Sequence, residues 1–144
     1  MNPNSIPLVR ASWKKIVPIA EQAAALFYDE LFTLDPALKP LFKSDLKAQG
    51  RKLTSMLNTA VVNLGRLETI LPAVQDLGRR HVGYGVKSAH YETVGTALIS
   101  TLEKGLGPDF TPAVREAWVE AYTALAGVMQ TAAAETAEPR TATA

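Results

Sequence analysis

A chain of 144 residues is long enough for one domain with a real core, and 47% hydrophobic against 20% charged residues is the balance of a globular protein. A net charge of +1 gives no bulk case for nucleic acid or an anionic membrane as partner, and the basic residues read as scattered along the chain. With no cysteine there are no disulfides, no thiolate metal site, no iron–sulfur cluster and no cysteine nucleophile.

The N-terminal stretch MNPNSIPLVRASWKK lacks the apolar core of a secretion signal. No apolar run approaches the roughly 18 residues of a membrane helix, so the expected location is cytoplasmic. Alanine and leucine dominate, period-two strand patterns are missing, and proline and glycine punctuate the chain. Ser5-Ile6-Pro7 reads as a helix start with a capping serine. Pro18 divides the next stretch, which reaches Leu34. Asp35-Pro36 opens a short helix ending near Phe42, and Ser44-Asp45 caps a longer one running to about Leu64, where Gly65 is expected to stop it. The cluster Lys47, Arg51 and Lys52 on that helix reads as a solvated face.

Thr69 and Pro72 begin a further helix that reaches His81 or Val82, ahead of the glycines in VGYG. Ser88 caps the next, which ends at GLG, residues 105–107, and Thr111-Pro112 starts the last. From 136 the chain is small and polar with a proline, composition expected of a disordered tail. The reading is an all-α domain of seven or so helices over residues 1–135, with a tail over 136–144.

Polar residues interrupt three apolar stripes. Leu53, Met56, Leu57, Ala60 and Val61 share a face, which Gln49 extends by one turn. Tyr28 lies among Ala24, Phe27, Leu31 and Phe32, and the stripe Val74-Leu77-Gly78 ends on His81. Each has an ordinary reading: a buried tyrosine satisfied by a carbonyl, a glutamine folding back as a cap, a satisfied core histidine. Together they suggest polar groups converging on a cavity. His90 sits in the first turn of its helix, at the edge of the stripe Tyr91-Val94-Leu98, where the dipole disfavours an imidazolium. The two histidines lack the neighbouring ligands of a zinc site. Dinucleotide, phosphate-loop and GxSxG motifs are absent.

Two stretches resemble a known family. LFTLDPALKPLF, residues 31–42, looks like the globin signature in which a proline opens a short helix and a phenylalanine follows six residues later, here Pro36 and Phe42. HVGYGVKSAHYETVG, residues 81–95, is similar to the proximal region of flavohaemoglobins and of single-domain Vitreoscilla-type and Hell's Gate-type bacterial globins. The resemblance covers roughly residues 5–134 and implies the globin fold, a three-over-three helical sandwich around haem b.

By that resemblance His81 is the proximal iron ligand, and Phe42, Val86 and Tyr91 contact the cofactor or support its ligand. Tyr28, Gln49 and Leu53 form the distal side, and His90 is a packing residue. The implied function is reversible, high-affinity binding of dioxygen, with carbon monoxide and nitric oxide as further ligands. The alternative is nitric-oxide dioxygenation with a reductase supplied in trans. Neither nucleic acid nor a membrane is expected as partner. The sequence departs from flavohaemoglobins in one proximal feature: Ala133 stands where they carry a glutamate, with Glu135 two residues away, about 200° around the helix. A weaker electron push on the iron is the expected consequence.

Overall fold

The computed structural model describes residues 3–41, 45–83 and 88–137, and of residues 41, 81–83, 88 and 133–137 it describes the backbone alone. Among these residues every element is helical: α1 (Ser5–Ile16), α2 (Ala20–Leu34), α3 (Leu46–Val62), α4 (Leu71–Gly83), α5 (Ser88–Leu106) and α6 (Pro112–Ala137), joined in part by short 3-10 turns. The tail expected from residue 136 begins with two helical residues, and the rest of it lies outside the described residues. No described helix is long and apolar enough to cross a membrane.

Local chemistry explains most boundaries. Pro18 falls in a 3-10 turn, Val17–Ile19, between α1 and α2. Asp45 accepts a hydrogen bond from the Lys47 amide at 3.1 Å and starts α3. The Thr111 hydroxyl oxygen accepts from the Val114 amide at 3.2 Å and starts α6. Gly107, at φ +56°, supplies the left-handed residue after α5.

Three expectations are corrected. Ser5 does not cap α1 but lies inside it, donating its hydroxyl to Glu120 Oε2 at 2.8 Å and so tying α1 to α6. The short helix after Asp35 is a 3-10 turn, Pro36–Leu41, because Pro40 has no amide to donate and its ring obstructs the α-helical ladder. Gly65 does not end α3. That helix ends at Val62, where Asn63 Nδ2 donates to the Thr59 carbonyl at 2.8 Å and Arg10 Nη2 to the Val62 carbonyl at 3.0 Å. Gly65 belongs to the following 3-10 turn, Leu64–Thr69.

The helices form two layers, α1–α3–α4 and α2–α5–α6, with α1 and α4 lying on α6 and α2 crossing α3 and α5. Val9, Leu31 and Leu102 are fully buried at their centre. Each such side chain contributes about 1.5–3 kcal/mol by leaving water. Trp13 and Trp118 pack at 6.0 Å with ring planes 56° apart. Buried Trp118 Nε1 donates to Ser12 Oγ at 2.8 Å, so its one polar atom is satisfied inside the core.

Candidate functional site

Tyr28 is buried on the inner face of α2. Its ring meets Phe27 edge-on at 5.2 Å and lies nearly parallel to Phe32 at 6.1 Å. Burial pushes its phenol up to about 12, so the hydroxyl remains a protonated donor throughout the neutral range. A close helix crossing brings this tyrosine to the start of α3. A Cβ at Gly50 would stand 3.0 Å from Ala24 Cβ and 3.8 Å from Tyr28 Cε2, so the backbone beside Gln49 lies against α2 and the tyrosine ring.

Two stripes run along α3. Gly50, Leu57 and Val61 are buried, whereas Gln49, Leu53 and Met56 are only half-buried. The stripes differ by about 100° around the axis, and Leu53 and Met56 of the half-buried one pack against the core from its edge. On α4, Gly78 is pressed against α6: a Cβ there would lie 2.4 Å from the Met129 carbonyl oxygen. Val74 and Leu77 beside it are half-buried, and His81 follows one turn later in register. Among the described residues α3 packs mainly on α2 and α1, and α4 mainly on α6.

On α5, Tyr91 and Leu98 are buried and Val94 is half-buried. Tyr122 of α6 donates its hydroxyl to the Tyr91 carbonyl at 2.6 Å, and its ring covers Gly95, where a Cβ would come within 2.7 Å of Cε2. Burial raises the pKa of Tyr91, and burial followed by the nearby Tyr91 raises that of Tyr122.

The expected site residues therefore divide. Tyr28 and Gln49 are brought to the same crossing, with Leu53 one turn further on, and Tyr91 is buried on α5. His81 lies within α4, but its side chain is outside the description, as are those of Ala133 and Glu135; Phe42 and Val86 fall wholly outside the described residues. Sequence reasoning missed Gly50 and Gly95 as contact points and Tyr122 as the brace of α5. A glycine inside a helix costs about 1 kcal/mol against alanine, so each mid-helix glycine was a signal of close approach.

The donor set suits a porphyrin, which would take an imidazole-bearing residue of α4 and a neutral phenol donor of α2 as its polar neighbours. The globin sequence profile matches residues 25–129, and the chain belongs to the globin family. Among solved structures it is similar to the engineered carbene transferase RmaNOD, a candidate nitric oxide dioxygenase of Rhodothermus marinus carrying a glutamine-to-valine substitution. The two are 28% identical, with a TM-score of 0.87 over 95% of this chain and 96% of that one. The fold is that of a bacterial globin, and the family binds haem and small gaseous ligands.

Proposed function

We propose that this globin is a single-domain member of the flavohaemoglobin lineage, of the Vitreoscilla or Hell's Gate type, that binds haem b and holds dioxygen reversibly. The observation that carries the reading is Tyr28, a buried, protonated phenol at the α2–α3 crossing, against Gly50, the residue after Gln49. Haem would supply an iron that binds a diatomic gas, and His81 of α4 would hold it. Phe42, Val86 and Tyr91 hold the cofactor in place on this reading, and Leu53 lines the gas side. To a bound gas carrying partial negative charge the Tyr28 hydroxyl would donate a hydrogen bond. Such a bond contributes about 1.5–3 kcal/mol, roughly a ten- to hundred-fold gain in affinity. Gln49 offers a second donor through its amide, or fixes the phenol through its amide oxygen.

Absorption spectra of the ferric, ferrous and carbon-monoxide forms test this directly. A strong band near roughly 400–430 nm is expected of a haem protein. His81→Ala should lose the haem or hold it loosely, and His90→Ala should keep it. A colourless purified protein, or bleaching by His90→Ala alone, would overturn the assignment.

The likeness to a candidate nitric oxide dioxygenase favours a second reading at the same site. Dioxygen and nitric oxide combine there to nitrate, with one electron arriving from a separate reductase. Steady nitrate production with a supplied reductase, far above the rate of autoxidation, would select it over simple oxygen carriage. Location in the cytoplasm accompanies either reading.

A further inference from the structure

Neither α1 nor α3 contains an acidic residue, and between them they carry six lysines and arginines. Four of the six share one face. On α1, Arg10, Lys14 and the helix-ending Val17 follow at spacings of four and three. On α3, Lys47, Arg51, Ser55, Asn58 and Val62 follow at four, four, three and four, and every residue of both rows is exposed. Side-chain bonds join the rows. The Trp13 indole donates to Asn58 Oδ1 at 3.0 Å, and Arg10 Nη2 donates to the Val62 carbonyl at 3.0 Å. Lys15 and Lys52 lie about 100° around from Lys14 and Arg51, and Lys15 pairs with Asp109 at 3.2 Å. The acidic residue nearest α3 in the chain, Asp45, is engaged as its cap, accepting from the Lys47 amide.

The net charge of +1 gives no sign of this face, but fields are screened within about 8–10 Å at moderate salt, so a partner meets the local charge. Among the basic side chains stand Val17, 46% exposed, and Val62, at 60% the most exposed large apolar side chain among the described residues. Basic residues around exposed apolar ones suit the boundary of a phospholipid bilayer. There phosphates meet the ammonium and guanidinium groups while the valines enter the headgroup layer. We propose that the outer face of α1 and α3 seats the protein on a membrane surface rich in anionic phospholipid. The contact is peripheral, since no described helix is long and apolar enough to cross a membrane. Nucleic acid also offers phosphates and fits less well. Stacking of bases needs exposed aromatic rings, and Trp13, the one aromatic residue of the two helices, is buried. Along a phosphate backbone the two valines would also find no apolar counterpart. The inference does not depend on the haem reading.

The test is co-sedimentation of the full chain with vesicles of phosphatidylcholine alone and of phosphatidylcholine with an equal part of phosphatidylglycerol. Binding to the anionic vesicles should exceed that to the neutral ones at least about ten-fold at low salt and disappear by about 0.5 M salt. Lys14→Glu/Arg51→Glu, one reversal on each helix, should lower it at least about ten-fold, each basic residue near the surface contributing about five-fold. Arg79→Glu/Arg115→Glu, on α4 and α6, changes the net charge equally and should alter binding less than about two-fold. Val62→Ser should weaken binding roughly three-fold and leave its salt dependence as it was, the mark of an apolar contribution. Circular dichroism checks that each variant is folded as wild type is. Equal binding to both kinds of vesicle, no binding to the anionic ones, or equal loss in the two double variants would overturn the proposal. So would tighter binding of a duplex oligonucleotide that Lys14→Glu/Arg51→Glu abolishes, which would assign the face to nucleic acid.

Discussion

Tyr122 braces Tyr91: its hydroxyl donates to the Tyr91 carbonyl at 2.6 Å while its ring occupies the space a side chain would fill at Gly95. The contact fixes α5 to α6 at the level of the candidate site. Tyr122→Phe keeps the ring and removes the bond, which should cost about 0.5–1.5 kcal/mol, or roughly 2–4 °C in melting temperature. The same tyrosines set an alkaline limit. Burial raises the pKa of Tyr28, Tyr91 and Tyr122 above the ordinary value of 10.0, so the unfolded chain ionises first. Their contribution is complete below pH 10 and is lost as pH climbs through the folded values, about 12 for Tyr28. Urea unfolding at pH 8 and at pH 11 should show wild-type protein losing more stability than Tyr122→Phe. Equal losses would mean that Tyr122 is not buried as a neutral phenol.

Ser12 receives the Trp118 indole proton inside the core, whereas Asn58, an exposed residue, receives that of Trp13 at 3.0 Å. The two bonds differ in what replaces them. Ser12→Ala strands a buried donor and should cost about 1–3 kcal/mol. Asn58→Ala lets water take over, and less than about 1 kcal/mol is expected. Chemical denaturation of the two variants compares them, and a larger loss from Asn58→Ala would contradict this account of the tryptophan pair.

Gly78 is a point of close approach between α4 and α6. A Cβ there would meet the Met129 carbonyl oxygen at 2.4 Å and Cα at 2.7 Å, and backbone cannot rotate aside. Gly78→Ala must therefore push α4 away from α6, at about 1–3 kcal/mol, and shift the register position of His81 with it. Haem transfer to an excess of an apoprotein acceptor should quicken by roughly ten-fold, matching about 1.4 kcal/mol of lost retention. Gly127 has nothing within 4 Å of its notional Cβ, so Gly127→Ala should be neutral or stabilising by up to about 1 kcal/mol. Unchanged haem loss in Gly78→Ala would separate the α4–α6 contact from the site.

Apolar spacing of three and four was enough to read α1 to α6, because each helix buries one face and the residues that do so repeat with the helix. Boundaries were legible where a side chain acts on its own neighbours, as Asp45 and Thr111 do. They failed where the partner is remote: Ser5 bonds Glu120 across 115 positions, and the carbonyls ending α3 are met by Arg10, 51 and 52 positions away. Tyr28 and Gln49 stood out as polar residues on apolar stripes, but that Gly50 joins them depends on a helix crossing that no local pattern encodes.

The distal pair gives the sharpest test of gas chemistry. Tyr28→Phe removes one oxygen from a ring fixed between Phe27 and Phe32, so the shape of the site is retained. If the hydroxyl donates to dioxygen, its loss should speed dissociation roughly ten- to a hundred-fold, equivalent to about 1.5–3 kcal/mol. Carbon monoxide gains much less negative charge on binding, and its dissociation should change far less. Gln49→Leu should act in the same direction but more weakly, because the half-buried position on α3 lets water stand in for the amide. The two substitutions should not add, since both residues address one ligand from neighbouring points of the α2–α3 crossing. Between pH 6 and pH 9 the wild-type rate should stay flat, the phenol being protonated throughout with a pKa of about 12. Stopped-flow dissociation of both gases from wild type, the two single variants and the double variant measures all of this. Equal acceleration for dioxygen and carbon monoxide would mean that Tyr28 controls access to the site by its bulk, and the hydrogen bond would have to be abandoned.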